Sequence, residues 1–365
     1  MLQIHKIIIT GIIAGLFAIV SPVYGQAKLS LDEITLLAER GNVQAQFALA
    51  AAYKTGQGTI QDYSEAVYWF AKAAEGGLLE AQFELAGLTA EGLGTQQNYE
   101  IAFNLFQTIA EAGHPKGQLV FGVMIEKGLG TDSPPETSVP WYEKAAGQGV
   151  AEAATNLGVL YQSSDIVPQD FTKAQSWYET AAKLGDMRAL NNLGVMYIRG
   201  EGVIPDYEIA AALLTQAMEG GSSEAMANLA SLYASGLGVT VDESRANELY
   251  RNAAEATRNT RTLEGLPDAD EIIQIVSAPD FNTKNLKRAA FAGDVRAQYV
   301  LGHLHMNGWG TPQDYVTAYA WLNVAASRMS DVQVRDELTV RMTNNQINEA
   351  QSLSRQYAEI IAAAE

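Results

Sequence analysis

Few residue types in this chain could carry out a reaction. It has no cysteine, which excludes a disulfide, a thiolate metal ligand, a thiol nucleophile and a lipid-modified cysteine. The four histidines are His5, His114, His303 and His305. His303 and His305 lie two positions apart on an expected helix, so they point to different sides and do not make a chelating pair. His305 also stands where neighbouring stretches carry tyrosine, which favours packing over metal binding. No serine sits in a Gly-x-Ser-x-Gly turn. The recurrent Gly-x-Gly pairs follow helices, not strands, and lack the lysine of a phosphate loop. The expectation is therefore no catalytic residue, no metal and no cofactor, and a protein that is not an enzyme.

Side chains suited to binding are better represented. Asn156, Asn192 and Asn228 recur at a spacing of 36 residues, and Glu152, Arg188 and Glu224 recur in parallel with them. Asparagine offers both donors and an acceptor, so a row of them could hold an extended peptide backbone. These six are the candidate peptide-binding residues. Two plainer alternatives stay open: each amide bonds a neighbouring loop carbonyl, and each charge is simply solvated.

The elements that must position these rows repeat with the same period. Counting from Gly41, a glycine returns at Gly77, Gly113, Gly149, Gly185, Gly221 and, after Thr257, at Gly293. A fixed period in this range is the mark of a solenoid. Each unit begins with an apolar stripe at spacings of four, as in Ala45, Leu49 and Tyr53 or Ala189, Leu193 and Tyr197, which predicts a helix. Gly-x-Gly at Gly56/Gly58, Gly92/Gly94, Gly128/Gly130, Gly200/Gly202, Gly236/Gly238 and Gly308/Gly310 predicts its end, because glycine tolerates the left-handed backbone found there. Asp62, Asn98, Asp170, Asp206, Asp242 and Asp314 are expected N-caps of a second helix, each worth roughly 1 kcal/mol. That helix carries Ala66, Trp69, Phe70, Ala73 and Ala74 on one face. Core bulk is expected at Trp69, Trp141, Trp177 and Trp321, a buried Trp removing about 150–250 Å² from water. One such hairpin cannot close a core, whereas stacked hairpins can.

Some stretches depart from the plan. Asp132-Ser133-Pro134-Pro135 delays the second helix of its unit to about Pro140 or Trp141. Ser163-Ser164-Asp165 replaces one Gly-x-Gly. Residues 257–292 keep a second helix around Leu286, Ala289 and Ala290 behind an irregular first half, with a short helical piece over Asp268–Val276. This slot reads either as a decayed repeat or as a binding or hinge element.

The residues of the unit from Ala189, Leu193-Gly194, Tyr197, Gly200, Gly202-Val203, Asp206, Ala210 and Ala217 resemble the Sel-one-like repeat family, a relative of the tetratricopeptide solenoids. Ala297, Leu301-Gly302, Gly308, Gly310, Asp314, Ala318, Trp321 and Ala325-Ala326 carry the same likeness. The resemblance covers about residues 41–328. It implies an all-α fold, a right-handed αα superhelix of stacked helix-turn-helix repeats whose first helices line a concave face, used as an adaptor for other proteins. The Arg335-Asp336-Glu337-Leu338, Gln346-Ile347 and Glu349-Ala350 pattern resembles a closing segment of that family. It implies no shared reaction.

The expected organisation is a signal peptide over 1–25, an N-terminal capping helix over 26–40 with Ser30 and Glu33 as a capping box, and six repeats over 41–256. The degenerate unit 257–292, a repeat at 293–328 and C-terminal capping helices over 329–365 complete it. These last are Val332–Met342 and a longer helix capped by Thr343 and Gln346, ending near Ala362. Lys6, the apolar run Ile7–Val20 and the small-residue exit to Gly25 give the signal its form, and the run is short for a membrane span of about 20 residues. The reading is thus a periplasmic or secreted chain, cut after Gly25, with no stable membrane span and a monomeric state. The net charge of −18 disfavours nucleic acid and an anionic membrane surface as partners, and leaves a protein or peptide. The function expected is a non-enzymatic scaffold working through its concave face. Two alternatives are a binder or enzyme for β-lactams or cell-wall ligands, and a regulator of envelope assembly or a virulence factor that binds a host receptor.

Overall fold

The computed structural model describes residues 29–256, 271–273, 275, 282–328 and 333–363. The expected signal peptide lies outside the described residues, as does most of the irregular stretch within 257–292. Among the described residues all regular structure is helical. The α-helices in order are Leu31–Glu39 (α1), Val43–Thr55 (α2), Tyr63–Glu75 (α3), Leu79–Glu91 (α4), Tyr99–Glu111 (α5), Pro115–Glu126 (α6), Val139–Gly147 (α7), Ala151–Ser163 (α8) and Phe171–Lys183 (α9). They continue with Met187–Arg199 (α10), Tyr207–Glu219 (α11), Ser223–Ser235 (α12), Glu243–Ala256 (α13), Thr283–Phe291 (α14), Val295–Asn307 (α15), Tyr315–Ser327 (α16), Gln333–Thr339 (α17) and Asn344–Ala362 (α18). Helices pair into hairpins, α2 with α3, α8 with α9, α10 with α11, α12 with α13 and α15 with α16, and each second helix packs on the next first helix where α3 meets α4 and α11 meets α12. No described helix is long and apolar enough to cross a membrane.

Local chemistry sets the boundaries. Every expected second-helix cap accepts a backbone N–H: Asp62 from Ser64 and Glu65, Asn98 from Ile101, Asp170 from Lys173, Asp206 from Glu208 and Ile209, Asp242 from Arg245, Asp314 from Val316 and Thr317. First helices are also capped, by Asn42, His114 through Nδ1, Asp186, Ser222 and Asp294. Both capping boxes, Ser30/Glu33 and Thr343/Gln346, are formed. The proline-rich unit puts a 3₁₀ turn at Pro135–Ser138 ahead of α7, and α8 ends on an extended Ser164 where α2, α4, α10, α12 and α15 end on a left-handed glycine.

The core differs from expectation in one respect. Trp69, Trp141 and Trp177 are only half-buried, and Trp321 alone of the four is fully buried. In the first three helices the ring one position later, Phe70, Tyr142 or Tyr178, fills the interior. Two adjacent residues both fall within a wide helical stripe, so period alone does not choose between them. The inward ring also explains the glycine in the middle of the first helix. A Cβ on Gly158 would lie 2.4 Å from the Tyr178 ring, and one on Gly122 2.8 Å from Tyr142.

The chain divides into two compact units, one from Met1–Leu105 with Thr262–Glu365, the other from Phe106–Arg261. The first unit therefore joins the beginning of the repeat array to its end. Its shared core runs from Phe47, Phe70 and Leu93 to Leu301, Trp321, Ile347 and Ala350. A polar seam holds the two parts together. Asn323 in α16 satisfies all four of its hydrogen-bonding positions: its Nδ2 donates to Gln61 O (3.0 Å) and Ser354 Oγ (3.2 Å), and its Oδ1 accepts from Gln61 N (3.2 Å) and Arg335 Nη1 (3.2 Å). Arg335, 2% exposed, also donates to Thr55 O (3.1 Å) and pairs with Asp336. Gln61 Oε1 accepts from Tyr319, whose hydroxyl burial pushes up to about 12. The expected C-terminal cap thus covers the opening repeats as well as the last one, by contacts that period alone did not predict.

Candidate functional site

The two polar rows lie in the second unit on α8, α10 and α12. Asn156, Asn192 and Asn228 are all half-buried. Asn156 faces the Tyr142 hydroxyl and Asn192 that of Tyr178, each amide working against the effect of burial on the phenol, and each tyrosine belongs to the preceding repeat. Those hydroxyls donate in turn to Glu126 (2.7 Å) and Gln162 (2.7 Å). Burial is the main reason both phenols are held well above their ordinary range. At the next step of the period Leu214 offers no hydroxyl, and Asn228 donates instead to Asn191 Oδ1 at 2.8 Å. The internal partners are therefore side chains, not the loop carbonyls weighed from sequence. Asn191 and the Tyr142/Tyr178 pair were missed as members of the row, although the tyrosines follow the same period.

The charged row is ordered by its own alternation. Arg188 sits 3.7 Å from Glu152 and 2.9 Å from Asp186, the N-cap of its own helix. Glu224 accepts from Ser222 and Ser223, each at 3.3 Å. Lys116 stands one period before Glu152, so charge alternates along the row. Burial raises the Glu152 carboxyl, opposed by Arg188. Burial also opposes charging of Arg188, but Asp186, Glu152 and Glu224 outweigh it and hold the guanidinium above its usual value. Half-buried amides beside alternating charges can bind backbone amides and charged side chains. They hold no activated nucleophile.

His303 and His305 are both buried in the first unit, each with an unpartnered Nε2. Tyr299 lies against His303 at 4.6 Å between centroids, and Thr311 Oγ1 is 3.4 Å from His305 Nδ1. No cluster of three metal-ligating side chains occurs among the described residues. Burial drops His303 from 6.5 to about 4, so the fold accommodates its neutral ring. The unfolded chain takes up the proton first as pH falls. The stabilisation is present above pH ~6.5 and is lost on the way down to ~4, at most about 3 kcal/mol. Urea unfolding between pH 7 and 4.5 should show that loss, and His303→Phe should remove most of the slope. An unchanged slope in the variant would show that other groups set it.

Stacked αα-hairpins with one polar row per repeat define a helical-repeat protein. The chain belongs to the Sel1 repeat family: residues 43–78, 79–114, 117–150, 151–186, 188–222, 223–257 and 295–328 match the Sel1 repeat. Its fold is similar to that of a protective antigen present in uropathogenic Escherichia coli that displays an SLR fold, with 23% identity, a TM-score of 0.58, and coverage of 92% of this chain and 96% of that one. It is also similar to a Sel1 repeat protein from Oxalobacter formigenes, with 29% identity, a TM-score of 0.56, and coverage of 62% of this chain and 99% of that one. No curated protein matches the chain. Proteins of this family are scaffolds that typically serve protein–protein interaction.

Proposed function

We propose that this chain is a non-enzymatic scaffold of the periplasm or the extracellular space, gripping a protein or peptide along the first-helix row of Asn156, Asn192 and Asn228 flanked by Glu152, Arg188 and Glu224. The observation that carries this reading is the register itself: amides and alternating charges advance one repeat at a time on α8, α10 and α12. An extended peptide carries its own donors and acceptors at regular intervals, and a rigid row meets them with little ordering cost. Lys6 and the apolar run Ile7–Val20 support export.

The test uses the chain exported from its full sequence, with a mature start at Gln26 checked by mass spectrometry. Partners are captured from envelope extract by the parent and by the Asn156→Ala/Asn192→Ala/Asn228→Ala variant. Capture should fall at least tenfold. Loss of the amide at Tyr142 and Tyr178 should separately cost about 1 kcal/mol at each site. Reduced stability with full capture would leave these amides a packing role only.

A further inference from the structure

The first unit contains a worked example of helix recognition, and the second unit repeats its receiving surface. In the first, α18 lies across two loops one repeat apart. Asn348 Oδ1 accepts from Gly94 N (3.1 Å) while its Nδ2 reaches Gly92 O (3.5 Å). Gln351 Oε1 accepts from Tyr63 N (3.0 Å), and Arg355 pairs with the Asp62 oxygen that is not engaged in capping. Between these polar points Leu93 is only 6% exposed and shares a core with Ile347 and Ala350. The helix thus presents an apolar pair, Ile347 and Ala350, with Asn348 between them, then a second amide and a cation, and reads backbone groups, one leucine and one carboxylate.

Asp206, Tyr207 and the Gly236-Leu237-Gly238 loop stand four periods later and reproduce every one of those features. The backbone matches closely. Gly92 and Gly94 have φ of 72° and 70°, Gly236 and Gly238 66° and 69°. A Cβ on Gly94 would lie 2.2 Å from Tyr63 C and O and 2.6 Å from Ser64 N, and one on Gly238 would lie 2.2 Å from Tyr207 C and O and 2.6 Å from Glu208 N. Asp206 likewise uses Oδ1 for capping. Here, however, no described residue bonds Gly238 N, Gly236 O or Tyr207 N. Leu237 is 39% exposed where Leu93 is 6%, and Val241 and Ile204, in the same two loops, are 62% and 87% exposed.

We infer that the edge formed by Asp206, Tyr207 and Gly236–Gly238 is a docking surface for a helix of a partner protein with the side-chain pattern of α18. That pattern is Asn directly after one apolar residue and two before a second, an amide three residues after the Asn, and Arg four further on. The arginine meets Asp206 on a strongly acidic chain, and the apolar pair covers Leu237. This surface is separate from the first-helix row and binds a helix edge-on, not an extended peptide.

The probe is a fluorophore-labelled peptide of residues 343–362, titrated by anisotropy into the intact chain, where α18 already occupies the equivalent surface of the first unit. The peptide is expected to bind at one site. Leu237→Asp, an exposed change checked by circular dichroism, should weaken it at least tenfold. Asp206→Asn, which keeps a capping side chain, should weaken it several-fold and reduce its salt dependence. A peptide bearing Asn348→Ala should lose about tenfold. The Asn156/Asn192/Asn228 alanine variant should bind as the parent does, which separates this surface from the first-helix row. Absence of binding, or binding that Leu237→Asp leaves intact because the peptide exchanges with α18, would overturn the inference.

Discussion

Arg335→Ala is expected to destabilise the first unit by about 3–5 kcal/mol, because it removes one side of a buried, hydrogen-bonded charge and leaves the other side behind. Thr55 O loses the Nη2 donor at 3.1 Å, and Asn323 Oδ1 keeps only Gln61 N. Each orphaned polar atom costs about 1–3 kcal/mol, and the emptied volume adds to that. Asp336 is half-exposed and returns to water at little cost. Arg335→Lys keeps the charge, but a single ammonium cannot span Thr55 O and Asn323 as the planar fork does, so it should recover less than half of the loss. Urea unfolding followed by tryptophan fluorescence reads the effect, since Trp69, Trp309 and Trp321 report the first unit and Trp141 and Trp177 the second. A midpoint for Arg335→Ala within 1 kcal/mol of the parent, by the roughly linear dependence on denaturant, would mean that the seam is not what joins the chain's two ends.

The contrast between that seam and the hairpins marks what a sequence of this kind discloses. Caps and left-handed glycines depend on residues two to four apart, so Asp62, Asp206 and the Gly-x-Gly pairs could be placed from spacing alone. The choice between Trp69 and Phe70 needed the neighbouring helix, since both lie within one apolar stripe. For the candidate row, period set Asn156, Asn192 and Asn228 one repeat apart, while their neighbours depended on a second series, Tyr142, Tyr178 and Leu214, whose last member changes the chemistry. The seam was out of reach for a different reason. Gln61 and Asn323 are 262 positions apart, and nothing local to either residue specifies the other. A polar side chain on an otherwise apolar helix face was the available signal, at Asn323 and at Arg335.

Gly94→Ala is the second large effect expected, and it separates backbone conformation from backbone packing. At φ 70° a Cβ costs roughly 1–2 kcal/mol through left-handed strain alone. Gly41, at φ 85°, would meet nothing within 4 Å on gaining a Cβ, so Gly41→Ala measures that strain by itself. At Gly94 the new atom would fall 2.2 Å from Tyr63 C and O. Backbone at the start of α3 cannot rotate aside as a side chain can, so the loop must move and the cost should rise by a further 1–3 kcal/mol or so. Movement of the loop also draws Gly94 N away from Asn348 and opens the α18 contact. Gly238→Ala, with the same 2.2 Å approach to Tyr207, should cost as much in packing as Gly94→Ala, less whatever the Asn348 bond contributes. Urea midpoints for the three variants decide the matter. Equal losses for Gly41→Ala and Gly94→Ala would show that the loop has room to give, and that the close approach of one repeat's glycine to the preceding repeat's helix start does not set the spacing of the array.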